Sequence, residues 1–277
     1  MSNRSTLSRR ELLRVSAFGA AGSALVPALE AAAQERPYGP FRMGIQSYSL
    51  RGYKVDEALQ KTKDLGLRYW ESYTAHIPLT TAPAEVKAIQ DKLTAANVRL
   101  RAYGVMRFTK DDAANRKMFE GAKALGIRSL SADPDPDSFD SLEKLVEEFQ
   151  ISIAIHNHGP GHRYNTLEQV QAALKGRGKL IGACVDTGHF LRTPENPVKV
   201  IEAIGDRVYG VHLKDVKGAK TFTILGEGDL DVVGTLKALR AVNYRGVTAL
   251  EYEENPQNPI PDLEKCLVAV KAAVAKL

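Results

Sequence analysis

The 277-residue chain is long enough for one large domain or two small ones, and its 44% hydrophobic and 26% charged residues exclude a disordered or fibrous protein. The formal net charge is +5, but residues 1–33 contain four arginines and two glutamates, so the remainder carries only +3. The sequence has no long lysine and arginine run and no basic helix face, which argues against nucleic acid as a partner. Cys184 and Cys266 lie in apolar stretches without metal-binding spacing, which favours buried thiols over a disulfide.

Residues 1–33 have the features of an export signal. Ser8–Leu13 resembles the twin-arginine motif, Val15–Leu29 is a mildly apolar run, and Ala31–Ala33 supplies the small residues that a signal peptidase needs. The apolar run is short for a membrane span, which takes about 20 residues. We expect the twin-arginine machinery to carry the protein to the periplasm, with no membrane span left after cleavage. An amphipathic helix that stays on the protein and an uncleaved anchor are the alternatives.

From Phe41 onward, short β-rich runs alternate with amphipathic helical stretches. Several of the runs are almost continuously apolar, as expected for strands that are buried on both faces. The predicted strands are Arg42–Tyr48, Arg68–Tyr73, Arg99–Val105, Ser129–Ala132, Ile151–His156, Ile181–Val185, Val208–Leu213 and Val247–Tyr252. The predicted helices are Asp56–Leu65, Ala84–Ala96, Asp111–Leu125, Ser141–Phe149, Leu167–Leu174, Pro197–Ile204, Val232–Ala241 and Asp262–Ala275.

The boundaries between helices and strands support this count. In Leu65–Arg68 and again in Leu125–Arg128, a helix ends, a glycine takes the left-handed C′ position, and a strand starts within a residue or two. Eight such units in about 240 residues are typical of a (β/α)8 TIM barrel. An open doubly wound sheet is the alternative, but no glycine-rich phosphate loop follows the first strand. We predict a single-domain TIM barrel over residues 34–277.

Five of the six histidines fall between positions 156 and 212, on or just after the fifth, sixth and seventh predicted strands. The active site of a TIM barrel is built from the carboxyl ends of its strands, so chemistry is expected there. The fifth strand ends in His156 and His158, which share one side if the strand continues that far. The sixth strand ends in Asp186, a carboxylate that is costly to bury without a partner, and His189 follows three residues later. A helix N-cap is the alternative role of Asp186.

The seventh and eighth predicted strands also end in polar side chains. His212 and Lys214 alternate onto one face, which gives a candidate ligand followed by a cation, although a solvated loop lysine is equally compatible. Glu251 and Glu253 share a side at the end of the eighth strand. The glycine-flanked loop around Glu227 either folds over the barrel mouth or forms an ordinary surface turn.

The placement of these groups on four consecutive strand ends predicts a metal site. Carboxylate oxygens together with imidazole nitrogens suit Mn²⁺, Co²⁺, Fe²⁺ or Zn²⁺. The absence of cysteine ligands argues against a structural zinc site.

These motifs together resemble the xylose-isomerase-like superfamily, in particular its sugar phosphate isomerases/epimerases. The matching segments are Val185–His189, Val211–Asp215, Gly226–Asp229 and Leu250–Glu253. The resemblance implies one divalent metal ion, most often Mn²⁺, at the positions of His156, Asp186, His212 and Glu251. It also implies that His189 and Glu71 face the substrate. In the family epimerases, glutamates of strands five and eight act as paired acid and base.

His156 departs from that pattern, because it stands where the epimerases have the strand-five glutamate. A histidine can bind a metal ion and can move protons near neutral pH. A metal-bound imidazole is nevertheless a poor base, since its lone pair is committed to the ion. The symmetrical mechanism with two carboxylates is therefore in doubt, while the metal site is not.

The sequence predicts an enzyme that abstracts a proton next to the carbonyl of a sugar or sugar derivative, with the metal ion as Lewis acid. We expect Glu253 or His158 to be the base beside the ligand Glu251. The predicted substrate contacts are Glu71, His189, Lys214 and Glu227.

Several outcomes are open at this stage. Isomerisation or epimerisation is the leading hypothesis, and elimination from a 3-keto-glycoside is the second. An endonuclease-like phosphodiesterase and a non-catalytic sugar-binding protein are further alternatives. The expected partner is a small carbohydrate. We expect an unphosphorylated sugar, because phosphorylated sugars are scarce outside the cytoplasm. An oligomer is compatible with the sequence.

Overall fold

Eight parallel β-strands form a closed barrel in the computed structural model, which describes residues 37–277. The barrel strands are β1 (Arg42–Gln46), β2 (Tyr69–Ser72), β3 (Arg99–Met106), β4 (Ser129–Ala132), β5 (Ser152–His156), β6 (Ile181–Asp186), β7 (Val208–Leu213) and β10 (Val247–Leu250). Strands that are consecutive in the barrel pair with each other, and β10 pairs with β1 to close it. The hairpin of β8 (Asp215–Lys217) and β9 (Thr221–Thr223) is a separate antiparallel sheet. The predicted TIM barrel is confirmed.

Helices follow the strands around the outside of the barrel. Within the described residues they are α1 (Val55–Asp64), α2 (Pro83–Ala95), α3 (Asp112–Ala124), α4 (Phe139–Phe149), α5 (Leu167–Leu174), α6 (Thr187–Leu191), α7 (Pro197–Ile204), α8 (Val232–Ala241) and α9 (Ile260–Val274). Short 3₁₀ helices cover Ser47–Leu50, Pro136–Ser138 and Gly205–Arg207. Every predicted helix is present, and α6 is an additional short one.

All of these elements lie within one compact unit, residues 41–277. The predicted signal segment, residues 1–33, lies outside the residues that the structure describes. Among residues 37–277, no helix is long and apolar enough to cross a membrane.

The predicted glycine turns are present at the ends of α1 and α3. Gly66 and Gly126 have φ angles of 72° and 76°, which lie in the left-handed region that glycine adopts without steric cost. The N–H of Leu67 donates to the carbonyl of Thr62 at 3.1 Å, and the N–H of Ile127 donates to that of Ala122 at 2.9 Å. These hydrogen bonds satisfy the last helical carbonyls and send the chain directly into β2 and β4.

The first and last barrel strands are shorter than the predicted ones, which extended to Tyr48 and Tyr252. β1 ends at Gln46, whose side chain accepts a hydrogen bond from the N–H of Tyr48 and so begins a 3₁₀ helix. Beyond β10, the N–H of Tyr252 donates to Ser49 Oγ rather than to a neighbouring strand. Hydrogen bonds between side chains and the backbone thus follow the end of both strands. The bond from Tyr252 to Ser49 also joins two loops at the carboxyl end of the barrel.

Alternation along the strands decides which side chains reach the barrel interior. Trp70 in β2 donates its indole N–H to Thr62 of α1 and therefore faces outward, so the next residue, Glu71, faces inward. Cys184 of β6 and Cys266 of α9 are both buried and both free, as the sequence predicts.

His76 holds the segment after β2 in place. Its Nε2 lies 3.1 Å from the carbonyl oxygen of Tyr53, and its ring stacks on Trp70 with centroids 5.5 Å apart. The same ring meets the edge of Tyr73, whose side chain lines the barrel mouth. Burial lowers the pKa of His76, although its hydrogen bond to Tyr53 partly opposes the shift.

We expect His76 to make the protein less stable as the pH decreases from about 7 to about 5, across the usual pKa range of histidine. The unfolded chain binds a proton there more readily than the folded chain, so the free energy of unfolding decreases. His76→Gln, which keeps a donor for Tyr53, should lose less stability over this range. Urea unfolding at both pH values measures the difference. His162→Gln changes an exposed histidine and serves as the control, which should keep the pH dependence of stability of the wild type. If His76→Gln also kept that pH dependence, His76 would not be its source.

Candidate metal centre

Four side chains converge inside the carboxyl end of the barrel. They are His156 at the end of β5, Asp186 at the end of β6, His212 in β7 and Glu251 directly after β10. Each contributes one nitrogen or oxygen atom, and all four atoms lie within 4.8 Å of one another. These are the four residues that the sequence predicts as metal ligands.

The parallel register places these side chains at one level. Asp186 pairs with His212 across β6 and β7, and His212 pairs with Ala249, two residues before Glu251. His156 Nε2 and Glu251 Oε2 each lie 3.0 Å from His212 Nδ1. Asp186 Oδ2 lies 3.6 Å from His156 Nε2. All four residues are buried, so their charges are held away from bulk water.

Glu71 lies beneath this group rather than at the surface of the pocket. Its carboxylate is 1% exposed, and Oε2 lies 3.0 Å from His212 Nε2. The hydroxyl of Ser131 in β4 donates to Glu71 Oε1. The two ring nitrogens of His212 therefore face different groups, Nε2 toward Glu71 and Nδ1 toward the four-residue cluster. A carboxylate in this position fixes the ring orientation and the tautomer of a histidine that binds a metal ion.

Lys214 is buried among carboxylates and is not a solvated loop residue. Its side chain is 2% exposed, and Nζ lies 2.9 Å from both Asp186 Oδ2 and Glu251 Oε2. Nζ also donates to Glu253 Oε1. Burial alone would lower the pKa of Lys214, but Asp186, Glu251 and Glu253 raise it, so the side chain stays positively charged.

The residues of the segment Asp186–His189 make different contacts at the end of β6. Asp186 Oδ1 accepts a hydrogen bond from the N–H of His189, so the carboxylate is both an N-cap of α6 and part of the cluster. The Thr187 hydroxyl donates to the carbonyl of Lys214 at 2.7 Å and ties α6 to the chain after β7. Gly188 leaves room for that lysine, since a Cβ there would lie 2.6 Å from Lys214 Cγ. Asp186 is thus the N-cap of α6 and also a member of the cluster in which the sequence predicts a metal ligand.

His158 and His189 extend the cluster toward the barrel mouth. The ring of His158 lies 4.6 Å from that of His156 and 5.6 Å from that of His189, between centroids. Burial, together with the neighbouring His156 and His189, lowers the pKa of His158 to about 3. Burial also lowers the pKa of His189 to about 4, partly offset by Asp186. Both rings are therefore neutral at pH 7 and accept or donate hydrogen bonds without charge.

A cavity of about 340 Å³ opens above the cluster. Two of its walls are aromatic, because Tyr48 and Tyr73 meet edge to face with centroids 5.5 Å apart. It is also lined by Gln46, His156, His158, His189, Lys214, Glu251 and Glu253. The β8–β9 hairpin places Phe222 beside this group, 5.7 Å from the ring of His189 and 5.2 Å from Lys214 Nζ.

The predicted substrate contact Glu227 is not brought to this cavity. It is exposed in the glycine-rich loop and does not line the cavity. The buried carboxylate of Asp215 holds this loop instead, by accepting hydrogen bonds from the N–H groups of Gly226, Gly228 and Leu230. The loop is therefore organised from its inner side, and the side chain of Glu227 is left facing out.

Sequence reasoning missed several residues that shape the site. Ser131 and Phe222 carry no motif, and only contacts between distant segments bring them to Glu71 and His189. Asn157 was visible between two histidines; its amide donates to the carbonyl of Asp186 and accepts from its N–H, which locks the ends of β5 and β6 together. Asp215 could have been found from its position, because it comes directly after the strand that carries the predicted ligand His212.

The donor set fits a divalent metal ion on two grounds. Asp186 Oδ2 and Glu251 Oε2 are buried without a hydrogen bond of regular geometry, and their close neighbours among the described residues are the Lys214 ammonium and the ring nitrogens of His156 and His212. Glu71, Asp186 and Glu251 also bring more negative charge into the buried cluster than Lys214 offsets. Burial alone would lower the pKa of His212, but the acidic groups around it raise it well above its usual value. The cluster therefore draws positive charge to the place where a metal ion would be held.

Comparison with known proteins identifies the family. Residues 34–267 match the model of the xylose isomerase-like TIM barrel family, and the chain belongs to it. An inosose dehydratase from Clostridium botulinum strain Eklund 17B is 29% identical over 140 residues, which are 43% of this chain. The match spans 47% of the dehydratase, so the chain spans about half the length of this relative.

Two solved structures share the fold. D-allulose 3-epimerase from Methylomonas sp. has a TM-score of 0.66 and 20% identity, over 84% of this chain and 99% of that one. An IOLI protein with a bound zinc atom has a TM-score of 0.66 and 18% identity, over 82% of this chain and 97% of that one. At these identities the likeness establishes the fold alone.

We predict that Glu71→Gln weakens binding of Mn²⁺ or Zn²⁺ by about tenfold to a hundredfold, as is typical when a partner behind a histidine ligand is changed. The amide keeps the shape of Glu71 and removes the charge that orients and polarises His212. Competition with a chelator measures the affinity. Glu227→Gln removes an exposed glutamate and serves as the matched control. Equal affinities in the two variants would show that Glu71 does not support the site.

Proposed function

We propose that this protein is a metal-dependent sugar lyase, which abstracts a proton next to a carbonyl and expels a β-hydroxyl or another β-substituent. The carboxylates around the cavity carry the proposal. Among the described residues that line it, Glu251 and Glu253 are the carboxylates, and Glu251 belongs to the metal cluster. This leaves Glu253 as the carboxylate that is free to act on the substrate.

Glu253 is well placed to be the base. Its side chain is 25% exposed and lines the cavity, so a substrate can reach it. Lys214 binds Oε1 and fixes the carboxylate toward the interior. His158 is a weaker candidate than the sequence suggested, because an imidazole whose pKa is lowered to about 3 holds a proton poorly at neutral pH. We assign His158 and His189 to hydrogen bonds with substrate oxygens.

A single carboxylate can complete the elimination. Glu253 takes the proton from the carbon next to the carbonyl, and the electron pair of that C–H bond forms the new double bond. The bond between the β-carbon and its oxygen breaks, and the departing oxygen recovers the proton from Glu253, so that water or an alcohol leaves. The ammonium group of Lys214 stabilises the negative charge that develops on the carbonyl oxygen. A divalent ion held by His156, Asp186, His212 and Glu251 would supply Lewis acidity to the same oxygen.

Epimerisation at one carbon has weaker support. It requires proton transfer on both faces of that carbon, and His156 stands where the second carboxylate would be. The similarity to an inosose dehydratase supports elimination. Isomerisation through the same base remains the second candidate, because Glu253 alone could move a proton between adjacent carbons.

The test is to incubate the Mn²⁺-loaded protein in D₂O with inosose, with a 3-keto-glycoside and with a free ketose. We expect loss of water or of the aglycone, detected by mass spectrometry. Incorporation of deuterium into an intact sugar, without loss of a substituent, would favour isomerisation and contradict the lyase proposal.

Glu253→Gln should reduce turnover by about 10²- to 10⁴-fold, the usual contribution of a general base, while metal affinity stays close to that of the wild type. Glu254→Gln changes the exposed neighbouring glutamate and is the matched control. If both variants lost activity equally, or if Glu253→Gln remained active, another group would be the base.

A further inference from the structure

A second cavity lies at the opposite end of the barrel, where the strands begin. Its volume is about 600 Å³, larger than the cavity above the metal cluster. The first residues of β1, β2, β4 and β5 line it, together with the segment that leads into β10. We call this the floor cavity. The amino ends of TIM-barrel strands usually serve stability rather than catalysis, so a charged cavity there calls for an explanation.

The floor cavity is strongly basic. The charged residues that line it within the described part of the chain are one carboxylate, Asp206, and five guanidinium groups, those of Arg42, Arg99, Arg101, Arg128 and Arg245. These arginines come from four separate segments of the chain and meet only because the barrel is closed. Their number in one concave place creates a positive potential that attracts anions.

Three of these guanidinium groups have no partner among residues 37–277. The side chains of Arg99, Arg101 and Arg128 make no hydrogen bond or ion pair with the residues that the structure describes. Several arginines elsewhere on the molecule bind carboxylates, as Arg116 does with Glu148 at 2.6 Å and Arg163 does with Asp135 at 2.9 Å. Arg99, Arg101 and Arg128 thus lie in one cavity, and their N–H groups are available to bind a ligand.

Strand β3 places two of these arginines at the floor cavity. Arg99 and Arg101 are two residues apart in β3, and the register between β2 and β3 shifts beside them, where Trp70 faces Leu100 but Glu71 faces Ala102. This bulge adds one residue to β3 and re-aims its side chains. Arg42 donates to the carbonyl of Arg245 and is therefore held at the rim.

We propose that the floor cavity binds a small multivalent oxyanion, such as a phosphate ester or a polycarboxylate. Guanidinium groups bind phosphate and carboxylate oxygens through paired hydrogen bonds, and several can share one anion. At about 30 Å³ for each water molecule, the cavity has room for an anion larger than a single phosphate. This binding needs neither the metal centre nor Glu253, so it is independent of the proposed lyase activity.

The experiment uses inorganic pyrophosphate as the probe, titrated into the full-length protein by calorimetry at constant ionic strength. We expect saturable binding that Arg101→Gln combined with Arg128→Gln weakens at least tenfold. The control combines Lys117→Gln with Lys144→Gln, which removes the same charge from helices α3 and α4. The control should change the affinity less than twofold. Thermal unfolding followed by circular dichroism checks that both double variants are folded.

Three results would overturn the proposal: no saturable binding to the wild type, equal loss in both double variants, or binding that persists without Arg101 and Arg128. The last result would place the anion elsewhere, for example at the metal centre. A second arm separates soluble anions from lipid headgroups, using vesicles of phosphatidylcholine with and without phosphatidylglycerol. Binding to the anionic vesicles without binding to pyrophosphate would also contradict a site for a small soluble anion.

Discussion

Buried negative charge at the carboxyl end of the barrel is the constraint on which the rest of the site depends. Glu71, Asp186 and Glu251 are almost completely removed from water, which is costly for carboxylates without compensation. Lys214 offsets part of this charge, and His212 offsets more when it is protonated, as its raised pKa indicates. A divalent ion among the same oxygen and nitrogen atoms would complete the compensation. The predicted affinity for a cation therefore follows from how the charges are buried.

The closed barrel allows this burial of charge, because hydrogen-bonded strands surround the charged side chains on all sides. The strands bring one side chain each to the same level, and side-chain hydrogen bonds such as those of Asn157 and Thr187 lock their ends. The two ends of the barrel then differ in kind. At the carboxyl end, the charged side chains are buried against one another, with negative charge in excess. At the amino end, guanidinium groups such as Arg99 and Arg128 remain free to meet charge from outside.

The residues around His156 indicate what a histidine does at the position where the family epimerases have a glutamate. Taken alone, a histidine in place of a glutamate leaves open whether the imidazole binds the ion or moves protons. In the folded protein its Nε2 lies 3.0 Å from His212 Nδ1 and 3.6 Å from Asp186 Oδ2, deep within the cluster. The proposed mechanism therefore leaves proton transfer to one side of the cavity, where Lys214 holds Glu253. A single carboxylate on one side of the cavity suits elimination better than epimerisation, which requires proton transfer on both faces of one carbon.

The sequence by itself determined the barrel and the strand ends where polar side chains collect, because both follow from local rules, and the resemblance to the family singled out the four clustered residues. Hydrophobic runs fix the strands, and a polar residue at a strand end can only lie at the carboxyl mouth. Tertiary structure decided what the neighbouring residues do. Glu71 looked like a substrate contact but lies behind His212, and Lys214 is buried rather than solvated. Glu227 faces out because Asp215 holds its loop from within. These outcomes depend on contacts between distant strands, which no local pattern of residues encodes.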